Sequence, residues 1–213
     1  MAGRTHHEAI YRGAEQVAKL AKAKIVLCGA GALGSNLADN LVRQGFEKLT
    51  VIDRDRVEEH NAGTQVYGLS DVGTWKVECL RNRIFRATNV EIEAIRKDLT
   101  SQNAAAFCKG ADLLIDTFDN SVSRQLVQDA ARASHTPCLH IGLYADYAEA
   151  IWDETYRVPR DVAGDVCDYP LARNLVLFAV TIASELLVRF VTEAAQRSVT
   201  LTLGDFAVRE IEV

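Results

Sequence analysis

The sequence predicts an α/β fold, a doubly wound and mainly parallel sheet with a C-terminal antiparallel extension. Three observations predict it. Between residues 24 and 142, short apolar runs alternate with segments of helical spacing, the pattern of parallel strands with helices on both faces. The first apolar run ends in Gly29-Ala30-Gly31-Ala32-Leu33-Gly34, a glycine-rich turn between strand and helix. After residue 143 the alternation stops, and the chain reads as strand, loop, long helix and two strands.

All 213 residues are assigned to one domain: an N-terminal arm or helix (1–22), a Rossmann-like core (23–142) and the extension (143–213). KIVLC at 24–28 is a buried strand, and Leu33, Leu37, Leu41 and Val42 share one face of a helix at 33–44. KLTVI at 48–52 is a second strand that closes on Asp53. A polar connection, 54–71, precedes a helix near 73–87 carrying Val77, Leu80 and Ile84. VEIEAI at 90–95 alternates as a strand, 101–109 is a short helix, and DLLID at 112–116 is a strand running into D-T-F-D-N. A helix at 121–134 and a strand at 137–142 complete the core. In the extension, 147–157 reads as a strand and 158–170, with Pro159 and Pro170, as a surface loop. A helix at 171–196 and strands at 199–203 and 206–213 follow.

The chain has 24 Lys+Arg against 29 Asp+Glu, a formal charge of −5, and is 48% hydrophobic. That composition suits a folded domain with a substantial core. The acidic balance argues against general nucleic-acid binding but leaves room for a local anion site. Five cysteines, with no C-x-x-C pair and a polar N-terminus, read as reduced thiols in the cytoplasm rather than a zinc framework. The most apolar stretch, 171–191, is interrupted by Arg173, Glu185 and Arg189 and reads as a buried helix, not a membrane span.

The chemistry concentrates in a few segments. In the G-x-G-x-x-G turn, Gly29 permits the tight bend, Gly31 lets backbone approach a phosphate, and Gly34 lets the helix pack on the strand. The helix start adds free N–H groups and a positive dipole end. Asp53, at the end of the second strand, is placed for a ribose hydroxyl pair. In a doubly wound sheet, ligands bind beyond the carboxyl ends of the strands, so Asp53, Lys76 and Asp119 converge on one pocket. A lysine for phosphate and a carboxylate for Mg²⁺ equip a nucleoside triphosphate site.

At GAGALG, D-x-D-x-V-E-x-x-N, D-V-G-x-x-K and D-T-x-D-N the sequence resembles the ThiF/MoeB/HesA family of ubiquitin-activating-enzyme-like adenylyltransferases. The resemblance covers about residues 4–142 and, more loosely, the helix at 171–196. It implies that ATP and Mg²⁺ activate the C-terminal carboxylate of a ubiquitin-like or sulfur-carrier protein with a Gly-Gly tail, and that the chain is a homodimer. It places Gly29, Gly31 and Gly34 at the phosphates, Asp53 on the ribose, and Asn61 and Gln65 in the phosphate pocket. Lys76 would contact phosphate and Asp119 would hold Mg²⁺.

Two departures bear on catalysis. Thr64 stands in N-A-G-T-Q where the family carries arginine, and His7 falls at the place of a second, N-terminal arginine. Either Arg4 or Arg12 supplies the missing charge, or the activity is weak or altered. Cys167, in G-D-V-C-D-Y-P, is either a loop cysteine without chemistry or, by the resemblance, a thioester or persulfide cysteine. Two alternatives stay open: a non-catalytic subunit that binds nucleotide and a partner protein, and an NAD-dependent oxidoreductase. His6 and His7 read as solvated in an arm, His135 and His140 as structural, and Trp75 as either pocket edge or core.

Overall fold

The computed structural model describes residues 3–160 and 170–211. Cys167 lies outside them. Two short helices, α1 (His6–Arg12) and α2 (Ala14–Lys22), lead into strand β1 (Lys24–Cys28). Helix α3 (Ala32–Gln44), strand β2 (Lys48–Ile52), helix α4 (Lys76–Thr88) and strand β3 (Glu93–Ile95) follow. Next come α5 (Ala104–Cys108), β4 (Leu113–Asp116), α6 (Ser121–Ser134), β5 (Cys138–Tyr144) and β6 (Tyr147–Trp152). The chain ends in α7 (Arg173–Glu193), β7 (Val199–Thr202) and β8 (Ala207–Glu210).

The eight strands form one sheet in the order β3-β2-β1-β4-β5-β6-β7-β8. Strands β1 to β5 pair in parallel, and the last four pair antiparallel. The extension therefore prolongs the core sheet instead of packing on it. Alternate residues of β1 show the double winding. Ile25 and Leu27 join a core with α2, α3, α4 and α7, while Val26 and Cys28 join a second core with α5 and α6. Helix α7 is long and apolar enough to cross a membrane by length and composition. Leu175, Val176, Ala179, Ala183 and Leu187 are nevertheless buried in the first core, where α7 packs on α3, β5 and β6.

Several boundaries differ from those the sequence predicts, each for a tertiary reason. Helix α4 starts at Lys76, not near 73. Gly73 N–H donates to the Val57 carbonyl, Val57 N–H to Thr74 and Lys76 N–H to Asp55, so 73–76 is tied to the preceding connection. Strand β6 stops at Trp152, not 157, because its partner β5 begins there and the chain turns back through Thr155 and Tyr156 onto the Trp152 carbonyl. Ala194, at φ 56°, ends α7 in a left-handed turn before residue 196. The N-terminal segment is helical, with His6 and His7 exposed on α1.

Both N-terminal arginines are occupied within the chain. Arg4 pairs with Glu47 at 2.6 Å. Arg12 bridges Glu8 and Glu185, each at 2.7 Å, and so fastens α1 to α7. In this arrangement each guanidinium is paired with carboxylates of its own chain.

Candidate functional site

The glycine turn leaves β1 at the centre of the sheet and is held from three sides. Gly29 N–H donates to the Ile52 carbonyl, and Asp53 accepts the Ala30 N–H at 2.7 Å. Tyr67 Oη donates to the Ala30 carbonyl at 2.8 Å, and Thr117 Oγ1 donates to the Cys28 carbonyl at 2.9 Å. The glycines divide the work as the motif requires. Gly29 has φ +101°, a region that L side chains rarely adopt. A Cβ on Gly34 would lie 2.0 Å from the Gly29 carbonyl oxygen. A Cβ on Gly31 would meet nothing within 4 Å, so that glycine leaves open space in front of α3. No side chain caps the α3 N-terminus, and its first N–H groups face that space without an intrahelical acceptor.

Asp53 is buried and its other oxygen accepts the Asp55 N–H at 2.7 Å. Burial raises the Asp53 carboxyl above the ordinary aspartate range, against the opposing pull of Lys76 and the two N–H donors. Lys76, the first residue of α4, is buried along its stem and places Nζ 3.2 Å from Asp55 Oδ2. The structure thus brings Gly29, Gly31, Gly34, Asp53 and Lys76 together at the carboxyl ends of β1 and β2.

The N-A-G-T-Q segment lies against the first turn of α3. Asn36 Nδ2 donates to the Ala32 carbonyl at 2.7 Å and to the Thr64 carbonyl at 2.9 Å. Asn61 is buried, and its Oδ1 accepts the Glu58 N–H, so its oxygen closes its own turn. Gln65 differs: its Oε1 is buried without a hydrogen-bond partner. Asp119 is exposed beyond β4, where its Oδ1 accepts from Asn120 Nδ2 at 3.3 Å. Asn120 caps α6 by accepting the Ser123 N–H. Trp75 is neither core nor bare edge, because Arg56 lies 3.7 Å and Arg96 4.6 Å from its ring centre.

Beneath this loop lies a buried ionic cluster. Asp116, fully buried at the end of β4, accepts from Phe118 N–H at 3.0 Å, His140 Nδ1 at 2.8 Å and Arg124 Nη1 at 3.4 Å. His140 also reaches Asp153 at 3.3 Å and stacks on Tyr156 with ring centres 3.9 Å apart. Neither ring nitrogen of His140 faces the glycine turn, which agrees with a structural role. Thr117, Tyr67 and Asn36 escape a reading of the sequence, and Asp55, legible only as an acid of the polar connection, is the partner of Lys76. Their roles depend on which strand ends adjoin, and only the adjacency of D-T-F-D-N to a strand end hints at Thr117.

The family model of the ThiF family matches residues 6–151. The chain is 37% identical over 135 residues to a sulfur carrier protein adenylyltransferase of Thermus thermophilus, covering 62% of this chain and 49% of that protein. It is 30% identical over 200 residues to a sulfur carrier protein ThiS adenylyltransferase of Bacillus subtilis, covering 86% of this chain and 60% of the other. The chain thus spans half to three fifths of the length of these relatives. The fold matches the crystal structure of E. coli MccB with MccA-N7isoASN at a TM-score of 0.85 and 16% identity, over 100% of this chain and 72% of that one. A second MccB structure, with ATP, matches at 0.82 and 15% identity over 99% of this chain and 71% of that one. The family match across most of the chain and the clamped glycine turn before an uncapped helix agree, and the chain belongs to the ThiF family.

Proposed function

We propose that this chain is an adenylyltransferase that uses ATP and Mg²⁺ to activate the C-terminal carboxylate of a small ubiquitin-like or sulfur-carrier protein. The observation that carries the reading is the uncapped α3 N-terminus, open at Gly31 and flanked by Asp53 and Lys76. Its curated relatives named as sulfur carrier protein adenylyltransferases support the reaction class. The carrier carboxylate attacks the α-phosphorus, an oxygen–phosphorus bond forms, and pyrophosphate leaves with the electrons of the broken phosphoanhydride. Charge grows on the phosphates during that step, so N–H groups and cations already in place lower the barrier.

On this reading Gly31 and the first turn of α3 take phosphate, Asp53 holds the ribose, and Gln65 lines the phosphate pocket. Lys76 contacts phosphate while Asp55 fixes its ammonium. Among the described residues no three His, Cys, Asp or Glu side chains converge on a metal position. Mg²⁺ would be held by Asp119, whose exposed carboxylate is the hard oxygen donor that ion takes. It would supply positive charge against the charge that grows on the phosphates. Both edges of β6 are taken by β5 and β7, so that strand offers a carrier tail no edge to pair with. The open edge on that side is β8. We place the protein in the cytoplasm as a homodimer.

The test is carrier-dependent exchange of pyrophosphate into ATP. Asp119→Asn is expected to weaken ATP·Mg²⁺ binding about tenfold, ~1.4 kcal/mol, with an unchanged unfolding midpoint because the residue is exposed. Unchanged affinity removes Asp119 from the site. ATP binding without exchange would favour a non-catalytic subunit, a second reading that rests on Thr64 and on the internal pairing of Arg4 and Arg12. Preferential NAD binding would replace both readings.

A further inference from the structure

A triphosphate at the α3 N-terminus needs cations that are not already committed to carboxylates. Around the site most are committed. Lys76 is placed for phosphate but shares its charge with Asp55 at 3.2 Å, and Arg54 holds Asp98 at 2.9 Å. Arg124 is buried on Asp116, and Arg56 lies on Trp75 while donating to the Gly73 carbonyl.

Arg173 is different. It is exposed at the first position of α7, and among the described residues no carboxylate lies within 4.0 Å of it. Its Nη1 donates to the Gly63 carbonyl at 3.4 Å, a long bond to a neutral acceptor. That contact ties it to the phosphate site. Thr64, the next residue, shares Asn36 with Ala32 in the first turn of α3. Gln65, one further on, holds the unpartnered Oε1. Arg173, Gly63, Thr64, Asn36 and Ala32 are thus linked from the start of α7 to the start of α3. A guanidinium has five N–H donors, so four remain when one is spent on Gly63.

We propose that Arg173 contacts the phosphates of the bound nucleotide and supplies, from α7, the positive charge that Thr64 cannot. The proposal rests on the ATP reading above. It adds a residue that lies more than a hundred positions from the glycine turn, on an element otherwise devoted to the core.

The experiment is calorimetric titration of the full chain with ATP·Mg²⁺ and with AMP. Arg173→Ala is expected to weaken ATP·Mg²⁺ at least about tenfold and AMP about twofold or less. Arg173→Lys should recover part of the loss, and adding Thr64→Arg to Arg173→Ala should recover more. A thermal melt without nucleotide should be unchanged, since the side chain makes one long hydrogen bond. Equal losses for ATP and AMP would mean that Arg173 only shapes the loop and would overturn the proposal. So would unchanged affinity for ATP, although the ATP reading would then survive. Failure of the unaltered protein to bind ATP would remove both.

Discussion

Gly34→Ala is expected to destabilise the chain by about 3 kcal/mol and to abolish nucleotide binding. A new Cβ would sit 2.0 Å from the Gly29 carbonyl oxygen and 2.7 Å from Thr117 Oγ1. The nearest atom is backbone, so no side chain can swing aside. Helix α3 must move off β1, or the glycine turn must open, and either displaces the Ala30 N–H from Asp53. Overpacking that forces backbone shifts lies at the upper end of single-residue effects. Gly31→Ala is the contrast, because its Cβ would enter open space. It should fold with a change under about 1 kcal/mol while losing nucleotide affinity. Urea midpoints and ATP titrations on both variants check the pair, and equal instability in the two would refute this division of roles.

Asp116→Ala is expected to cost about 3–5 kcal/mol, the range for breaking one side of a buried ion pair. It would leave Arg124 and His140 buried without their shared acceptor and release the Phe118 N–H. The same cluster makes stability depend on pH. Burial lowers the His140 pKa, but the hydrogen bonds to Asp116 and Asp153 outweigh it, and the net shift is upward from the ordinary imidazole value. That contribution is fully present below about pH 6.5 and is lost as pH rises through the folded-state value. Asp153 moves the other way, to about 2, because bonds from His140, Arg132 and Gln128 overcome its burial. Its contribution is present above about pH 3.9 and is lost as pH falls towards 2. The combined contribution of these two groups is therefore greatest between about pH 4 and 6.5. His140→Gln should flatten the decline on the alkaline side. Denaturation midpoints at several pH values check this, and an unchanged alkaline slope in the variant would exclude His140 as its source.

The parts of the fold legible in the sequence are those set by local pattern. Strands at 24–28 and 48–52 and the helix at 121–134 occupy their predicted bounds, since each apolar run or helical face ends at its own turn residues. Asn120, for example, marks the start of α6 as its cap. The start of α4 and the end of β6 were not legible, because backbone bonds to distant residues fix them. The candidate site divides in the same way. The glycines, Asp53 and Lys76 announce themselves by order and spacing. Thr117, Tyr67 and Arg173 act on segments 37 to 110 positions away in the chain, and nothing near them in sequence marks those contacts.

The suspension of the glycine turn from Ile52, Asp53, Tyr67 and Thr117 also has a kinetic meaning. A loop already fixed at four points loses little conformational freedom when a ligand arrives. The amides of Gly29 and Ala30 should exchange their hydrogens slowly even in the nucleotide-free protein, with protection near that of the β1 core. Any rearrangement that accompanies the reaction must then come from the segments around the turn, which acts as the fixed reference against which they move.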